Sequence, residues 1–263
     1  MPQNHSSGER GKKKLSGSSF RKIDHNELPY ITAEQMAEVD RLMVEDYGIQ
    51  LIQMMENAGR HLAELARNRF LSCDADRKHV VVLAGSGGNG GGVMVCARHL
   101  DNWGAEVSLY LTKPVKDLTG IIKHQGEILQ QMGLEIKSSE ELRKKPRLDL
   151  IVDGIIGYSL KGAPRGAAAE MIRWANRQSS PILALDLPSG LNASTGEVLE
   201  PTIRAAATLT LALPKLGLQA AETEVVGELY LADIGVPPEL YARPPLSLQV
   251  KPLFNQEQIL RLT

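Results

Sequence analysis

Apolar residues follow two alternating rhythms along this chain. Short continuous runs, Val80-Val81-Val82-Leu83-Ala84, Val107-Ser108-Leu109-Tyr110-Leu111, Leu148-Asp149-Leu150-Ile151-Val152 and Pro181-Ile182-Leu183-Ala184-Leu185, have the length and residue type of strands covered on both faces. Strands are predicted near 79–84, 105–111, 148–153, 181–186, 205–212 and 227–232. Between them apolar residues recur every three or four positions, which predicts helices near 92–103, 120–132 and 165–178. Two helices precede the first strand. Thr32 with Gln35 forms a capping box ahead of Met36, Val39, Leu42 and Met43, and a longer helix from about Ile49 to Phe70 buries Ile52, Met55, Ala58 and Leu62. Strands alternating with helices imply right-handed crossovers and an α/β fold with a mostly parallel sheet covered on both sides. The late strands, which lack a long helix between them, could instead run antiparallel.

Residues 1–28 break the pattern. They are rich in Ser, Gly, Lys and Arg and lack apolar periodicity, so they read as a disordered basic arm carrying Lys12, Lys13, Lys14, Arg21 and Lys22. Residues 29–263 then form one domain. A chain of 263 residues with 43% hydrophobic content supports a sizeable core, and a net charge of -1 argues against a general nucleic-acid surface. Cys73 and Cys96 make no disulfide framework, and Cys96, inside an apolar helix, reads as a reduced buried thiol. No run has the length of a membrane span and no signal-peptide core is present, so the expected setting is cytoplasmic.

The first strand runs directly into Gly85-Ser86-Gly87-Gly88-Asn89-Gly90-Gly91-Gly92, and a helix follows. Glycines between a strand end and a helix N-terminus let backbone amides approach an anion, usually a phosphate. Gly85, Gly87 and Gly90 satisfy the G-x-G-x-x-G spacing, yet the next strand ends in Thr112-Lys113 where the dinucleotide fingerprint wants an acid, and Gly91 stands where a Walker loop wants lysine. A tight turn with no ligand is the competing reading.

Ligands of an open parallel sheet bind beyond the carboxyl ends of its strands. Asp153 and Asp186 each close an apolar strand there and need a cation, a donor or a proton as partner. Alone, either reads as a loop cap; together beside a glycine nest they read as acid/base groups or cation ligands. Lys161, between glycines, is a candidate partner for a phosphate or carboxylate, against the reading of a solvated lysine. Ser189 sits in Pro-Ser-Gly rather than a nucleophile elbow and suits a hydroxyl ligand. Asn192-Ala193-Ser194 reads as turn sequence. The six histidines show no metal spacing, and His99 reads as structural.

These segments, in this order, resemble the YjeF N-terminal domain family of NAD(P)H-hydrate epimerases. The resemblance runs from about Tyr30 to Tyr241. It is carried by Ile31-Thr32-Ala33-Glu34-Gln35-Met36 with Asp40, Met55-Glu56-Asn57-Ala58-Gly59-Arg60, the glycine loop with Ala97-Arg98-His99-Leu100, and Asp153-Gly154-Ile155-Ile156-Gly157. Asp186-Leu187-Pro188-Ser189-Gly190-Leu191, Thr195-Gly196-Glu197, Pro214-Lys215-Leu216-Gly217 and Ala232-Asp233-Ile234-Gly235 complete it. It implies a three-layer αβα Rossmann-like domain, commonly a homodimer, that interconverts the R and S epimers of NADHX or NADPHX. A separate dehydratase then repairs the S form. By the same resemblance Asn89, Asp153 and Ser189 hold potassium, and Gly87, Gly88, Asn89, Gly90, Gly91 and Gly92 contact substrate. So do Gly157, Tyr158, Ser159, Leu160, Lys161, Gly162, Ala163 and Asp186, with Asp186 in acid/base work supported by Lys161.

The family loop usually reads Gly-x-Gly-Asn-Asn-Gly-Gly-Asp-Gly. Here Gly88 replaces the first Asn, Gly92 the Asp and Val93 the last glycine. Two lost hydrogen bonds would weaken binding by about 1–3 kcal/mol. The alternative is therefore a catalytically impaired nucleotide-binding or dimerisation module, a sensor or an RNA-associated scaffold.

Overall fold

The structure, a computed structural model, describes residues 20–143 and 147–263. Chain order gives β1 (Arg21–Ile23), α1 (Ala33–Arg41), α2 (Leu51–Leu65), β2 (His79–Ala84), α3 (Gly88–Asn102), β3 (Glu106–Leu111), α4 (Gly120–Gln131) and β4 (Ile136–Ser138). Then follow β5 (Leu150–Gly154), α5 (Gly166–Asn176), β6 (Ile182–Leu185), β7 (Ala207–Leu211), α6 (Leu216–Ala220), α7 (Thr223–Val226), β8 (Glu228–Ala232), α8 (Pro238–Tyr241) and β9 (Ile259–Leu262).

The strands form one sheet in the order β1-β9-β8-β7-β6-β5-β2-β3-β4. β2 leads through α3 to β3 on one side, and the chain returns to place β5 on the other side of β2. That reversal is a topological switch point, where crossovers diverge and a crevice opens above the strand ends. β7 and β8 pair in parallel despite the short helices between them, so the antiparallel alternative is corrected there; only β9 runs antiparallel, against β8.

Pleating divides each strand between two cores. Val80, Val82 and Ala84 of β2 join α2 and α3 on one face, whereas Val81 and Leu83 join Met171, Ile172 and Trp174 of α5 on the other. A third cluster packs Met36, Val39 and Met43 of the α1 region against Leu213, Ile234 and Tyr241. The predicted capping box holds α1: Gln35 N donates to Thr32 Oγ1 at 3.2 Å and Thr32 N to Gln35 Oε1 at 2.9 Å.

The expected arm is corrected at its C-terminal end. Residues 21–23 pair in parallel with β9, a strand the apolar pattern does not announce, and His25–Glu27 form a single 3-10 turn; residues 1–19 of the arm lie outside the described residues. Both strands are short and lie at or next to the sheet edge, so they lack the long apolar run of the central strands. Helix α3 starts at Gly88, four residues earlier than its apolar spacing suggests. No helix among the described residues is long and apolar enough to cross a membrane.

Helices α2 and α3 approach closely because Gly59 has no side chain. A Cβ there would lie 2.4 Å from Val95 Cβ and 2.5 Å from the Gly92 carbonyl oxygen. Gly59→Ala is expected to destabilise the fold by about 1–3 kcal/mol through overpacking. Thermal unfolding measures this, and an unchanged midpoint contradicts so tight a crossing.

Candidate active site

The glycine run divides into a structural half and an open half. A Cβ on Gly85 would lie 1.9 Å from the Ile155 carbonyl oxygen, and one on Gly90 would lie 1.9 Å from that of Gly85. These two glycines let the first turn of α3 sit down on the ends of β2 and β5. Gly87 and Gly88 instead meet nothing within 4 Å and face the crevice. The first amides of α3 have no intrahelical acceptor and carry the positive end of the helix dipole.

That end faces an open cleft of about 670 Å³, lined by Ser86 to Asn89, Thr112, Lys113, Ile155 to Ser159 and Arg165, among others. The volume suits a nucleotide. Lys113 and Arg165 are exposed and make no ion pair with a described residue, which leaves two cations for a ligand. Of the expected substrate residues, Gly87, Gly88, Asn89, Gly157, Tyr158 and Ser159 line this cleft. Gly90 and Gly91 lie buried beneath it. Leu160, Lys161, Gly162 and Ala163 line neither this cleft nor the chamber behind it.

Behind the cleft lies a smaller chamber of about 70 Å³. Its walls are mostly apolar, with Met36, Leu51, Met54, Met55 and Leu211 among them, and Asp40, Asn89, Tyr158 and Asp186 are its polar members. Gly92 lines it too, where a Cβ would lie 2.7 Å from Leu185 Cδ2. A side chain at position 92 would therefore press on the flexible tip of Leu185, which would have to shift. Gly88, by contrast, is open, so an Asn there would meet no obstruction.

Asp186 reaches the chamber from the end of β6 in an unusual backbone state, with φ +66°. A non-glycine residue held there stores about 1–3 kcal/mol, which the surrounding contacts must offset. They do so through Lys215, whose fully buried ammonium forms a salt bridge to Asp186 Oδ1. Lys215 also donates to the Leu211 carbonyl at 2.8 Å, while Thr210 Oγ1 and Leu211 N reach Asp186 Oδ1, each at 3.3 Å. Oδ2 has no hydrogen bond from a described residue. The expected partner, Lys161, is corrected here: it is exposed and makes no ion pair with a described residue, and Lys215 takes that place. A sequence signal for this existed, a lone lysine among Leu213, Pro214, Leu216 and Leu218 just past a strand.

Asp153, one strand away at the end of β5, has a different environment. It is fully buried and accepts from Ser189 N at 2.9 Å, Ser189 Oγ at 2.7 Å and Ile155 N at 3.2 Å. Burial without a cationic partner raises its pKa to about 6, against the pull of these hydrogen bonds. Asn89 is anchored nearby: its Nδ2 donates to the Leu185 carbonyl at 2.7 Å, and its amide lies against Gly157, where a Cβ would be 2.5 Å from Oδ1. Asn89, Asp153 and Ser189 offer oxygen donors and one uncompensated buried charge. That set fits a hard monovalent cation and not a transition metal. Among the described residues no group of three His, Cys, Asp or Glu stands together as a metal cluster.

Other expectations hold. His99 is structural, its Nε2 lying 2.9 Å from Glu56. Cys96 is buried, which pushes its thiol pKa up and keeps it inert. Asn192 folds its own turn by accepting from Ser194 N and Thr195 N.

Replacing one member of the Asp186–Lys215 pair leaves the other charge buried and unpaired. Lys215→Met is therefore expected to cost about 3–5 kcal/mol of stability. Denaturant unfolding measures it, and a loss near zero contradicts the pairing.

Comparison with known proteins agrees with this architecture. A chain of Dehalogenimonas lykanthroporepellens named NAD(P)H-hydrate epimerase is 43% identical over 237 residues, covering 89% of this chain and 92% of that one. A protein of the same name from Rhodopirellula baltica is 37% identical, covering 81% and 87%. The bifunctional NAD(P)H-hydrate repair enzyme Nnr of Moorella thermoacetica is 40% identical over 81% of this chain, which spans only 41% of that enzyme. The crystal structure of the yeast protein YNL200c superposes with a TM-score of 0.75 at 28% identity, covering 89% of this chain and all of that one. Residues 51–217 match the model of the YjeF-related protein N-terminus, and the chain belongs to that family.

Proposed function

We propose that this protein is an NAD(P)H-hydrate epimerase, acting on NADHX or NADPHX. The observation that carries the reading is the joined pair of cavities. An amide-lined, cationic cleft of nucleotide size shares a wall, Asp40, Leu51, Gly88, Asn89 and Tyr158, with an apolar chamber that holds a buried, lysine-paired carboxylate, Asp186. The two epimerases at 43% and 37% identity support the same activity. In this reading the helix α3 amides, Lys113 and Arg165 bind the phosphates, and the hydrated ring reaches the chamber.

The chemistry is acid-assisted loss of the ring hydroxyl, or ring opening, followed by return of water to the other face. The positive charge that develops on the ring is stabilised by a fixed carboxylate in an apolar surround, where electrostatic effects are large. Asp186 supplies that charge, and Lys215 with Thr210 fixes its position. Asn89, Asp153 and Ser189 would hold potassium, which supplies a fixed positive charge beside the substrate loop. The resemblance adds a homodimer and a separate dehydratase acting next on the S form; the bifunctional relative supports that coupling.

The test is incubation of the pure protein with R-NADHX and an S-specific dehydratase. Accelerated recovery of NADH is expected. Asp186→Asn is expected to lower the rate by about 10²–10⁴-fold in a folded protein; full turnover by that variant contradicts its role. If the wild type gives none, the impaired-module reading stands, and nucleotide-dependent thermal shifts then separate sensor from scaffold. Potassium is expected to raise both rate and melting temperature relative to tetramethylammonium at equal ionic strength. Ser189→Ala should weaken that difference, and identical behaviour in the two salts contradicts the cation site.

A further inference from the structure

The chamber holds a second carboxyl group, brought by a different layer of the fold. Asp40 projects from α1, whereas Asp186 comes from the sheet. Among the residues lining the chamber these two are the only carboxylic acids. Among the described residues Asp40 makes one side-chain hydrogen bond, from the Tyr158 hydroxyl to Oδ2 at 2.6 Å, and none of them bonds Oδ1. Asp40 and Tyr158 border both cavities, together with Leu51, Gly88 and Asn89, so the pair stands where the chamber adjoins the cleft.

The two acids differ in their partners. Asp186 is ion-paired with Lys215 and bonded by Thr210. Asp40 makes no ion pair with a described residue, and its bond comes from a neutral phenol. Two carboxyl groups in such different surroundings suit opposite parts in proton transfer. The geometry points to Asp40 as the general acid of the epimerisation, with Asp186 as the fixed anion and proton acceptor and Tyr158 as the residue that positions Asp40. This inference rests on the epimerase reading and assigns the donor that reading leaves open.

The step balances as follows. In a hydrated dihydropyridine the hydroxyl-bearing carbon adjoins the ring nitrogen. Asp40 gives its proton to the hydroxyl, the C–O bond breaks and water leaves. The nitrogen lone pair forms a C=N bond, and the resulting cation faces the Asp186 carboxylate. Water adds to the other face of the carbon, a C–O bond forms, and the C=N electron pair returns to nitrogen. The proton shed by that water goes to Asp186. Exchange with solvent then restores both acids.

Burial, reinforced by the charge on Asp186, raises the Asp40 pKa, while the Tyr158 hydrogen bond and Lys215 lower it. Tyr241 also faces Asp40, and burial raises its own pKa so that it stays a neutral phenol. A required acid form makes kcat fall as pH rises through the Asp40 pKa. Removing the Tyr158 hydroxyl removes a lowering influence, so Tyr158→Phe must shift that fall to higher pH.

The experiment measures kcat and KM for R-NADHX against pH, with the S-specific dehydratase in excess, in the wild type, Asp40→Asn, Asp40→Glu and Tyr158→Phe. Asp40→Asn is expected to lose about 10²–10⁴-fold in kcat and to lose the alkaline fall, with KM nearly unchanged. Asp40→Glu recovers part of the rate, and Tyr158→Phe moves the fall upward. An active wild type whose Asp40→Asn variant keeps its kcat overturns this inference and leaves the epimerase reading intact. A wild type without turnover overturns both. If Asp40→Asn fails to fold, the Tyr158→Phe profile decides, and an unmoved alkaline fall overturns the inference.

Discussion

One buried ion pair organises the site. Asp186 and Lys215 are both removed from water, and neither charge is tolerable there without the other. The pair also fixes backbone. It holds Asp186 in its left-handed conformation at the end of β6 and anchors the segment after β7 through the Leu211 carbonyl. The same segment seats the helix layer. Ile31 N donates to the Pro214 carbonyl at 2.9 Å and Leu216 N to that of Ile31 at 2.9 Å, just before Thr32 caps α1. The helix that carries Asp40 is thus tied to the lysine that holds Asp186, and the distance between the two chamber acids is a property of the fold rather than of a mobile loop.

The glycine loop shows a division of labour within one motif. Gly85 and Gly90 are required by close packing and would be present whether or not a nucleotide bound. A side chain at Gly87 or Gly88 would meet nothing within 4 Å, and both residues line the cleft. The departures from the family's usual loop also have different consequences. At Gly88 a side chain is simply missing, whereas at Gly92 a side chain would press on Leu185, and without an acid there that wall of the chamber is apolar. Lower polarity strengthens the remaining electrostatic interactions of Asp186.

Much of this was legible in the sequence because the central strands are long apolar runs and the loops that leave them are short. The strand ends placed Asp153 and Asp186 on one sheet edge, and their adjacency in β5 and β6 is the observed one. The capping box of Thr32 and Gln35 could be read because it is local. What escaped was long-range. Pairing of β1 with β9 joins residues more than two hundred positions apart and leaves no periodic trace in segments of three and four residues. Lys161, between glycines, reads as a candidate partner for a carboxylate, whereas Lys215 appears in the sequence only within its motif. Lys215 is nearer only because β6 and β7 are neighbours in space, and a lysine between apolar residues reads first as a surface interruption. Asp40 was visible as a residue of the motif, but its reach into the chamber depends on how α1 packs over the ends of β7 and β8.

The most direct test of the central claim is a double-mutant cycle on the stability of Asp186→Asn, Lys215→Met and the combined variant. The account predicts a strongly favourable coupling, about 2–3 kcal/mol for groups in direct contact, so that the double variant is far more stable than the sum of the single losses implies. Additive losses would contradict it, because they would mean that the two charges do not depend on each other and that the site is held together by something else.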